Sequence, residues 1–230
     1  MGIFTAPNNK TARDQWVKEK LEELPSGIKF LDAGCGPQPY KKHCSHVNYY
    51  AQDFAEYDGK GDQKGSQNKD WVYGSLNFEC DITNIPVENN YFDAVLCTEV
   101  LEHVKDPLLA IKELSRITKP GGRIFLTAPV CSIPHQTPYY FYNGFSEYWY
   151  RELAKDNNLE MLSIDKNGNP FLYLQQEICR LDRKISSRAL ATITKIVSHG
   201  ILSPLLFCLS KMFNDLDYLH FGYHVVFSKK

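Results

Sequence analysis

The sequence predicts an α/β fold in which helices cover both faces of a mostly parallel sheet. Four short runs (KFLDAG, NYYAQD, FDAVLCT and RIFLTAP) are apolar enough to be buried on both faces, as strands of such a sheet are. Helical patterns alternate with these runs, which is typical of a doubly wound domain. The 230-residue length suits one domain, and a formal net charge of −1 gives no basic field for nucleic acid.

The first helix is expected over residues 11–24, where Pro25 ends a helical pattern. Its buried face would consist of four apolar residues at helical spacing: Trp16, Val17, Leu21 and Leu24. The four buried strands follow at 29–34, 48–53, 92–98 and 123–129. These elements place four strands in the first 130 residues.

A second helix is predicted to begin at Pro107, with Asp106 as its N-cap. One apolar stripe is expected to face the sheet: Leu108, Ile111, Leu114 and Ile117. The sequence Lys-Pro-Gly-Gly at 119–122 is expected to end this helix before the fourth strand.

Two segments fit the alternation less well. Residues 56–70 are rich in Gly, Lys and Asp, and we expect a solvated loop there. Residues 161–165 and 223–230 have the pattern of a final strand pair, and residues 168–217 between them are predicted to be a mainly helical insertion. The whole chain, 1–230, is therefore expected to form a single domain with that insertion.

The cysteines and the first residues indicate a compartment. Seven cysteines are scattered without a CxxC pair, so we expect no metal site and a reducing cytoplasm. The first ten residues, MGIFTAPNNK, lack the apolar core of a signal peptide, and Ala6 breaks the myristoylation pattern.

Polar residues gather where the predicted strands end, which is where open parallel sheets bind ligands. Gly34 and Gly36 would let the backbone turn tightly and approach a ligand, directly after Asp32. Asp53 ends the second strand, where a carboxylate can accept both hydroxyls of a ribose. Asp81 ends the expected third strand, where it can accept from an adenine amino group beside Ile82.

A dinucleotide is one candidate ligand, but Pro37-Gln38-Pro39 follows Gly36, so the third glycine of its fingerprint is absent. A pyrophosphate would also be repelled by Asp32. A ligand with a cationic end suits the turn better, and S-adenosyl-L-methionine has an ammonium and a sulfonium but no phosphate.

The chain resembles the class I S-adenosylmethionine-dependent methyltransferases. The likeness runs in family order through FLDAGCG, YYAQD, CDITNIPVENNYFDAV, CTEVLEHVKDP and ELSRITKPGGRIFLTAP, about residues 28 to 130. It implies a seven-stranded Rossmann-like methyltransferase fold. It also implies that the methionine end of the cofactor lies along Asp32, Ala33, Gly34, Cys35 and Gly36, the ribose on Asp53, the adenine on Asp81 and Ile82, and the backbone of Cys97 beside the cofactor. The two prolines after Gly36 leave room for only a short helix there.

Residues 129–153 are dense in aromatic side chains and are expected to hold the methyl acceptor. His135 is the candidate catalytic base, because an imidazole near neutral pKa can take a hydroxyl proton; the alternative is a hydrogen bond to its own loop. Tyr139 and Tyr142 are candidate substrate-binding residues that orient the acceptor or line the sulfonium. Glu99 and His103, four residues apart, are a weaker candidate acid/base pair, because the family's histidine at this place usually packs near the cofactor.

The acceptor and the partners are less specified. HQTPYYFYNGFSEYWY and NGNPFLYLQQE resemble a branch whose members accompany cell-surface polysaccharide synthesis, which implies a small-molecule or glycan acceptor. Residues 180–213 combine five Lys or Arg at 180–195 with a strongly apolar stretch at 196–213. Two interpretations stay open: a helical lid or homodimer contact, which we favour, or a segment lying on an anionic membrane surface.

Two other function classes compete with a methyltransferase. A non-catalytic scaffold or regulatory protein would keep the same cofactor-binding residues, and the complete set of glycines and carboxylates says nothing about turnover. A nicotinamide-dependent oxidoreductase is weaker because of the missing third glycine.

Overall fold

A seven-stranded sheet with the order β3-β2-β1-β4-β5-β7-β6 forms the centre of the protein. The computed structural model describes residues 9–68, 70–180, 185–213, 215–216 and 218–230. The strands are β1 Lys29–Ala33, β2 Asn48–Asp53, β3 Phe78–Glu79, β4 Phe92–Thr98, β5 Thr118–Pro129, β6 Leu159–Asn167 and β7 Gly222–Lys229. The α-helices are α1 Asn9–Glu22, α2 Pro107–Ile117, α3 Glu147–Asp156, α4 Pro170–Arg180, α5 Arg188–Val197 and α6 Ser203–Met212. The predicted doubly wound, mostly parallel fold is confirmed.

The strands are apolar on both sides because a separate hydrophobic core packs against each face of the sheet. In β1, Leu31 and Ala33 belong to a cluster that includes α2 and α3, whereas Phe30 belongs to a second cluster with α1. β1 pairs in parallel with β2 and β4, and β7 is antiparallel to β5. The parallel pairing brings the carboxyl ends of β1, β2 and β4 to one edge.

The Lys-Pro-Gly-Gly segment lies within β5 rather than before it. β5 begins at Thr118 opposite Phe92, and the register then shifts so that Arg123 pairs with Ala94. The positive φ of Gly121 (+74°) accommodates the extra residues of this bulge. The predicted end of α2 at this sequence is right, and the strand starts five residues earlier than expected.

Helix α2 begins as predicted, since the Asp106 carboxylate accepts a hydrogen bond from the Leu109 amide at 3.0 Å. Its buried face differs from the expected stripe. Ile111, Leu114 and Ile117 are buried, but Leu108 is 56% exposed. Pro107 and Ala110 are buried instead, because the face turned inward lies one residue away from the predicted one at the first turn.

Residues 56–70 are not simply a solvated loop, so this expectation is wrong in part. Tyr57 is 2% exposed, and its hydroxyl donates to Gln67 Oε1 at 2.7 Å. The amides of Asp62 and Ser66 donate to the carbonyls of Thr137 and Pro134, both at 3.0 Å. We call residues 58–68 the cover segment and residues 131–143 the acceptor loop; backbone hydrogen bonds tie the two together.

The described residues fall into two compact units. One comprises residues 14–165 and 222–230 and contains β1–β5, β7 and helices α2 and α3; the other comprises the first residues up to 13 and residues 166–221. The second unit contains α4, α5 and α6, and most of the described residues of the segment predicted to be a mainly helical insertion lie in these helices or in the π-helical turn between α5 and α6. Residues 181–184, 214 and 217 of that segment lie outside the described residues.

Candidate active site

A tight turn after β1 forms the centre of the candidate site. Gly34 and Gly36 have positive φ angles of +68° and +48°, a region that glycine enters at little cost. A Cβ at position 34 would lie 2.4 Å from a methyl of Val100, and one at position 36 would lie 2.7 Å from the Trp71 ring. Both glycines are therefore required by conformation and by space.

The end of β2 holds this turn in place. Asp53 accepts hydrogen bonds from the amides of Gly36 (2.8 Å) and Ala55 (3.1 Å). Gln52 accepts from the Gly34 amide at 3.1 Å and donates to the Cys80 carbonyl at 2.7 Å. Sequence reasoning missed Gln52, because its role depends on β2 lying beside β1. Burial raises the pKa of Asp53, and its backbone partners oppose that shift.

Replacing Asp53 with alanine is expected to weaken S-adenosylhomocysteine binding by about 1–3 kcal/mol, since a charged hydrogen-bond acceptor is removed. Asp53→Asn keeps one oxygen acceptor for the Gly36 amide and serves as the matched control for the turn. Calorimetric titration of both variants measures the effect. An Asp53→Ala protein with wild-type affinity would contradict the predicted ribose contact.

Asp32 is buried under the turn rather than exposed at its rim. The carboxyl group is 1% exposed and accepts a 2.8 Å hydrogen bond from the Tyr49 hydroxyl. Burial raises the pKa of Asp32 to about 7, with Tyr49 acting against the shift and Asp53 adding to it. The carboxyl is thus poised between its two forms near neutral pH, where a cationic ligand would favour the ionised one.

This pKa predicts how stability depends on pH. Because the folded pKa is raised above that of the unfolded chain, the folded state holds the proton more tightly, and stability is lost as pH rises from about 4 to about 7. Asp32→Asn cannot ionise, so its stability lacks this pH dependence. The unfolding free energy of the variant minus that of the wild type should therefore increase by up to about 4 kcal/mol as pH rises through this window. Urea unfolding at pH 4.5 and 8 tests this. Parallel pH curves for the two proteins would contradict it.

The other predicted cofactor residues lie along the same strands. Ala33 and Cys97 pair across β1 and β4, and both are fully buried in the core. Cys35 is buried within the turn, and burial raises the pKa of its thiol. Asp81 follows β3 by two residues and accepts from the amide and hydroxyl of Thr83, both at 2.8 Å. Ile82 is 5% exposed and belongs to the core.

The glycine turn is covered by aromatic side chains that sequence reasoning did not assign. Trp71 lies against Gly36, and its ring is in edge contact with Tyr57 (5.4 Å) and Tyr73 (6.1 Å). The signal was the run WVYG directly after the polar stretch 56–70. An aromatic pair at alternate positions indicates a covered segment, although nothing local says what it covers.

Two histidines and a glutamate meet beside the acceptor loop. His103 and His135 have ring centroids 4.7 Å apart in an edge-on arrangement. The Nε2 atom of each lies 3.8 Å from Glu102 Oε1, and the Glu102 side chain is fully buried. Burial lowers the pKa of both histidines, and for His135 the neighbouring His103 adds to the effect. Both rings are therefore neutral at pH 7. The sequence singled out His135 and His103 but not Glu102.

The two predicted acceptor tyrosines also lie at this edge. The Tyr139 hydroxyl donates to Glu56 at 3.1 Å, and its ring is in edge contact with Phe54. The Tyr142 hydroxyl donates to the Lys105 carbonyl at 3.1 Å, and the residue is 37% exposed. Both can line an acceptor pocket. The later part of the aromatic stretch forms α3 with Leu153 buried, as predicted.

The residues at this edge fit an S-adenosyl group. The glycine turn has no side chain of its own at positions 34 and 36, and Val100 and Trp71 pack directly against it, so Trp71 would have to move for a ligand to reach Gly36. Each carboxylate oxygen has about two lone pairs, and the Gly36 and Ala55 amides occupy one on each oxygen of Asp53. The Phe54 amide also interacts with this carboxylate, so capacity for about one further hydroxyl donor remains. Among the described residues, no α-helix lies between β1 and β2, and a single 3₁₀ turn at Lys41–His43 takes its place, as expected from the two prolines.

Comparison with known proteins agrees with this geometry. Residues 31–126 match the family described as "Methyltransferase domain". A demethylmenaquinone methyltransferase of Staphylococcus saprophyticus is 35% identical over 53% of this chain and 52% of its own length. A ubiquinone biosynthesis O-methyltransferase of Coxiella burnetii is 30% identical over 44% of this chain and 43% of its own. The chain spans about half the length of the curated relatives it matches.

The fold recurs in a solved structure with a different title. The [4+2]-cyclase SpnF aligns over 99% of this chain and 85% of its own length, with a TM-score of 0.59 and 16% identity. Identity this low shows the fold alone. Because a protein named a cyclase has this fold, the reaction has to be argued from the residues of the site.

Proposed function

Because residues 31–126 match the methyltransferase domain family, we propose that this protein transfers the methyl group of S-adenosylmethionine to a small quinone-type ring acceptor. One observation supports the proposal: a glycine turn held by Asp53 lies at the same sheet edge as the Glu102–His103–His135 cluster. When bound, S-adenosylmethionine supplies a methyl group on a positively charged sulfur and leaves as S-adenosylhomocysteine.

The chain's own residues have separable tasks in this proposal. The turn and Asp53 hold the nucleoside, and Asp32 beneath the turn favours the cationic end. Tyr139, Tyr142 and the acceptor loop hold a flat ring against the methyl group; such positioning contributes up to about 7–11 kcal/mol of barrier lowering. The cluster containing His135 is where a ring hydroxyl would lose its proton. An O-methyl product follows from that arrangement.

We propose a quinone-type acceptor in place of the polysaccharide-linked glycan suggested by the sequence. The two curated relatives named above carry quinone-biosynthesis names, and neither name refers to a glycan. The acceptor loop carries four consecutive aromatic side chains at 139–142, against which a flat ring can stack. Quinone precursors with apolar tails are also soluble in lipid. A protein that acts on them would gain from contact with a membrane, and the helices of the second compact unit have features that suit such contact.

Helices α5 and α6 turn their apolar side chains outward. They run together with a π-helical turn at Ser198–Leu202 as one helix, Arg188–Met212. Ile193, Ile196 and Ile201 are each about 60% exposed. The side facing α4 is polar instead: Gln175 donates to the Ser203 carbonyl (3.0 Å) and hydroxyl (2.9 Å). Small and polar residues at the helix contact with apolar residues outside is the arrangement of helices in lipid.

We therefore propose that this helix lies on an anionic membrane surface, and we prefer this to the lid or homodimer contact. Basic side chains at Arg180, Arg188, Lys195 and Lys211 accompany the apolar face, each contributing about 1 kcal/mol near such a surface. Arg183 and Lys184, part of the predicted basic segment, lie outside the described residues. By length and composition the 25-residue helix would also reach across a bilayer, a criterion that core helices of soluble proteins meet as well.

Vesicle sedimentation tests the membrane proposal. Ile193→Glu combined with Ile201→Glu should abolish binding to vesicles that contain phosphatidylglycerol, because two charges enter the apolar face. Leu162→Glu is the matched control, since Leu162 is 49% exposed on β6. If the double variant still sediments with vesicles and instead turns a dimer into a monomer, the helix is a dimer contact.

The methyltransferase proposal is tested first by calorimetry and then by turnover. Micromolar binding of S-adenosylhomocysteine and none of NAD would support the cofactor assignment. S-adenosylhomocysteine formation with hydroxylated benzoquinone precursors, but not with sugar nucleotides, would support the acceptor class. Binding without turnover of any acceptor would favour the non-catalytic scaffold, and NAD binding would favour the oxidoreductase.

A further inference from the structure

The Glu102–His103–His135 cluster has the composition of a metal site, although the cysteine pattern predicts none. One ligand atom from each residue lies within 4.8 Å of the others. A zinc ion at about 2.1 Å from tetrahedral ligands separates them by about 3.4 Å. The two 3.8 Å separations between Glu102 Oε1 and the histidine Nε2 atoms exceed that by a few tenths of an ångström. The separations within the cluster reach up to 4.8 Å, which exceeds the tetrahedral spacing by up to about 1.4 Å, so the side chains have to move closer together when the ion binds.

The hydrogen bonds behind the histidines decide which nitrogen faces the cluster. His103 Nδ1 contacts the Tyr139 carbonyl, and His135 Nδ1 contacts the Ile133 carbonyl at 3.0 Å. A carbonyl only accepts, so both Nδ1 atoms carry the proton and both Nε2 atoms present a lone pair towards Glu102. Metal-bound histidines are oriented in this way by their second nitrogen.

Backbone hydrogen bonds hold the three residues of the cluster together, whatever the protonation states of their side chains. The Glu102 carbonyl accepts from the amides of Phe141 (2.9 Å) and Tyr142 (3.2 Å), which staples the acceptor loop to the turn that carries Glu102 and His103. The His135 side chain is 27% exposed and that of His103 is 10% exposed. The buried Glu102 side chain therefore lies beside two imidazoles, of which His135 is the more accessible to solvent.

We propose that Glu102, His103 and His135 bind one divalent transition metal ion, whose open positions take the ring hydroxyl of the acceptor. Two imidazoles and one carboxylate suit Zn²⁺, Fe²⁺ or Co²⁺ better than Mg²⁺. The hydroxyl proton is lost to water on coordination, because a divalent cation lowers the pKa of a bound hydroxyl. The oxygen then forms the bond to the methyl carbon as the carbon–sulfur bond breaks, and that electron pair stays on sulfur. In this arrangement His135 serves as a ligand rather than as the proton acceptor.

Metal binding to the chelator-treated full chain, prepared without a polyhistidine tag, tests the proposal. Titration with Co²⁺ should produce visible absorption bands that saturate at one ion per chain, and Zn²⁺ should displace Co²⁺. His135→Gln and Glu102→Gln should each weaken binding by about 100-fold or more. His43→Gln, in the separate 3₁₀ turn at 41–43, is the matched control and should bind like the wild type.

Absence of saturable Co²⁺ binding by the wild type, or equal affinities for His135→Gln and His43→Gln, would overturn the metal site. His135 is partly exposed, so its variant decides the result even if Glu102→Gln fails to fold. The inference on acceptor coordination rests on the proposed function, but the titration uses neither cofactor nor acceptor. If turnover persists in the presence of a chelator, the proposal of methyl transfer stands and only the proposed role of the metal is rejected.

Discussion

Alanine at Gly34 is expected to destabilise the protein by about 2–5 kcal/mol and to reduce S-adenosylhomocysteine binding below detection. About 1–2 kcal/mol comes from the left-handed backbone, at φ +68°. A further 1–3 kcal/mol, roughly, comes from overpacking, since the new methyl would lie 2.4 Å from Val100. Relief of that contact has to move either Val100 or the turn that we propose holds the cofactor. Urea unfolding and calorimetric titration measure the two effects.

Gly27→Ala is the matched control for backbone strain. Gly27 has φ +77°, and a Cβ added there would meet no heavy atom within 4 Å, so this variant should lose only the conformational part. Combining Gly34→Ala with Val100→Ala, and comparing with Val100→Ala alone, isolates the steric part. Equal losses of stability for Gly34→Ala and Gly27→Ala would show that Val100 does not confine the turn.

His135→Ala is expected to lower turnover by about 100-fold or more while leaving cofactor affinity unchanged. The imidazole lies in the cluster at the acceptor loop, away from the glycine turn, so only the acceptor's hydroxyl loses its partner. This result follows whether His135 takes the proton or holds a metal ion. Steady-state assay of kcat alongside titration with S-adenosylhomocysteine separates the two properties.

The pH dependence of the wild type sharpens this prediction. Burial and the neighbouring His103 lower the pKa of His135, so the neutral form should persist below pH 6.5 and turnover should decline only under more acidic conditions. His43→Ala controls for loss of a histidine elsewhere. Normal kcat with a lowered melting temperature in His135→Ala would mean that His135 only supports its loop through the Ile133 carbonyl.

The part of the site that sequence predicts best lies at the ends of strands and helices. Gly34, Gly36 and Asp53 follow directly from where two strands end, and the structure places Asp53 in hydrogen-bond contact with the Gly36 amide. Asp106 as N-cap is of the same kind, since capping needs only the next three residues. Local chemistry dictated these positions, so little tertiary information was needed.

What could not be predicted depends on distant segments. Glu102 and His135 are 33 residues apart, and they meet because amides at 141 and 142 donate to the Glu102 carbonyl. The polar composition of residues 56–70 predicted a solvent-exposed loop, whereas the backbone amides of Asp62 and Ser66 donate hydrogen bonds to the carbonyls of residues 137 and 134. The prediction that Leu108 is buried was wrong for a related reason. Helical spacing predicts an apolar stripe along α2, but packing against neighbouring elements determines how the helix is rotated about its axis and therefore which side chains face inward.

The contact between the cover segment and the acceptor loop has an energetic consequence for the two ligands. Asp62 and Ser66 bond to the loop that carries His135, while Trp71, next along the chain, lies on Gly36. If the cofactor displaces Trp71, we expect the cover segment to move with it and to shift the acceptor loop. In that case the two binding equilibria would be linked, and because linkage is reciprocal, whatever factor the cofactor applied to acceptor affinity, the acceptor would apply to cofactor affinity.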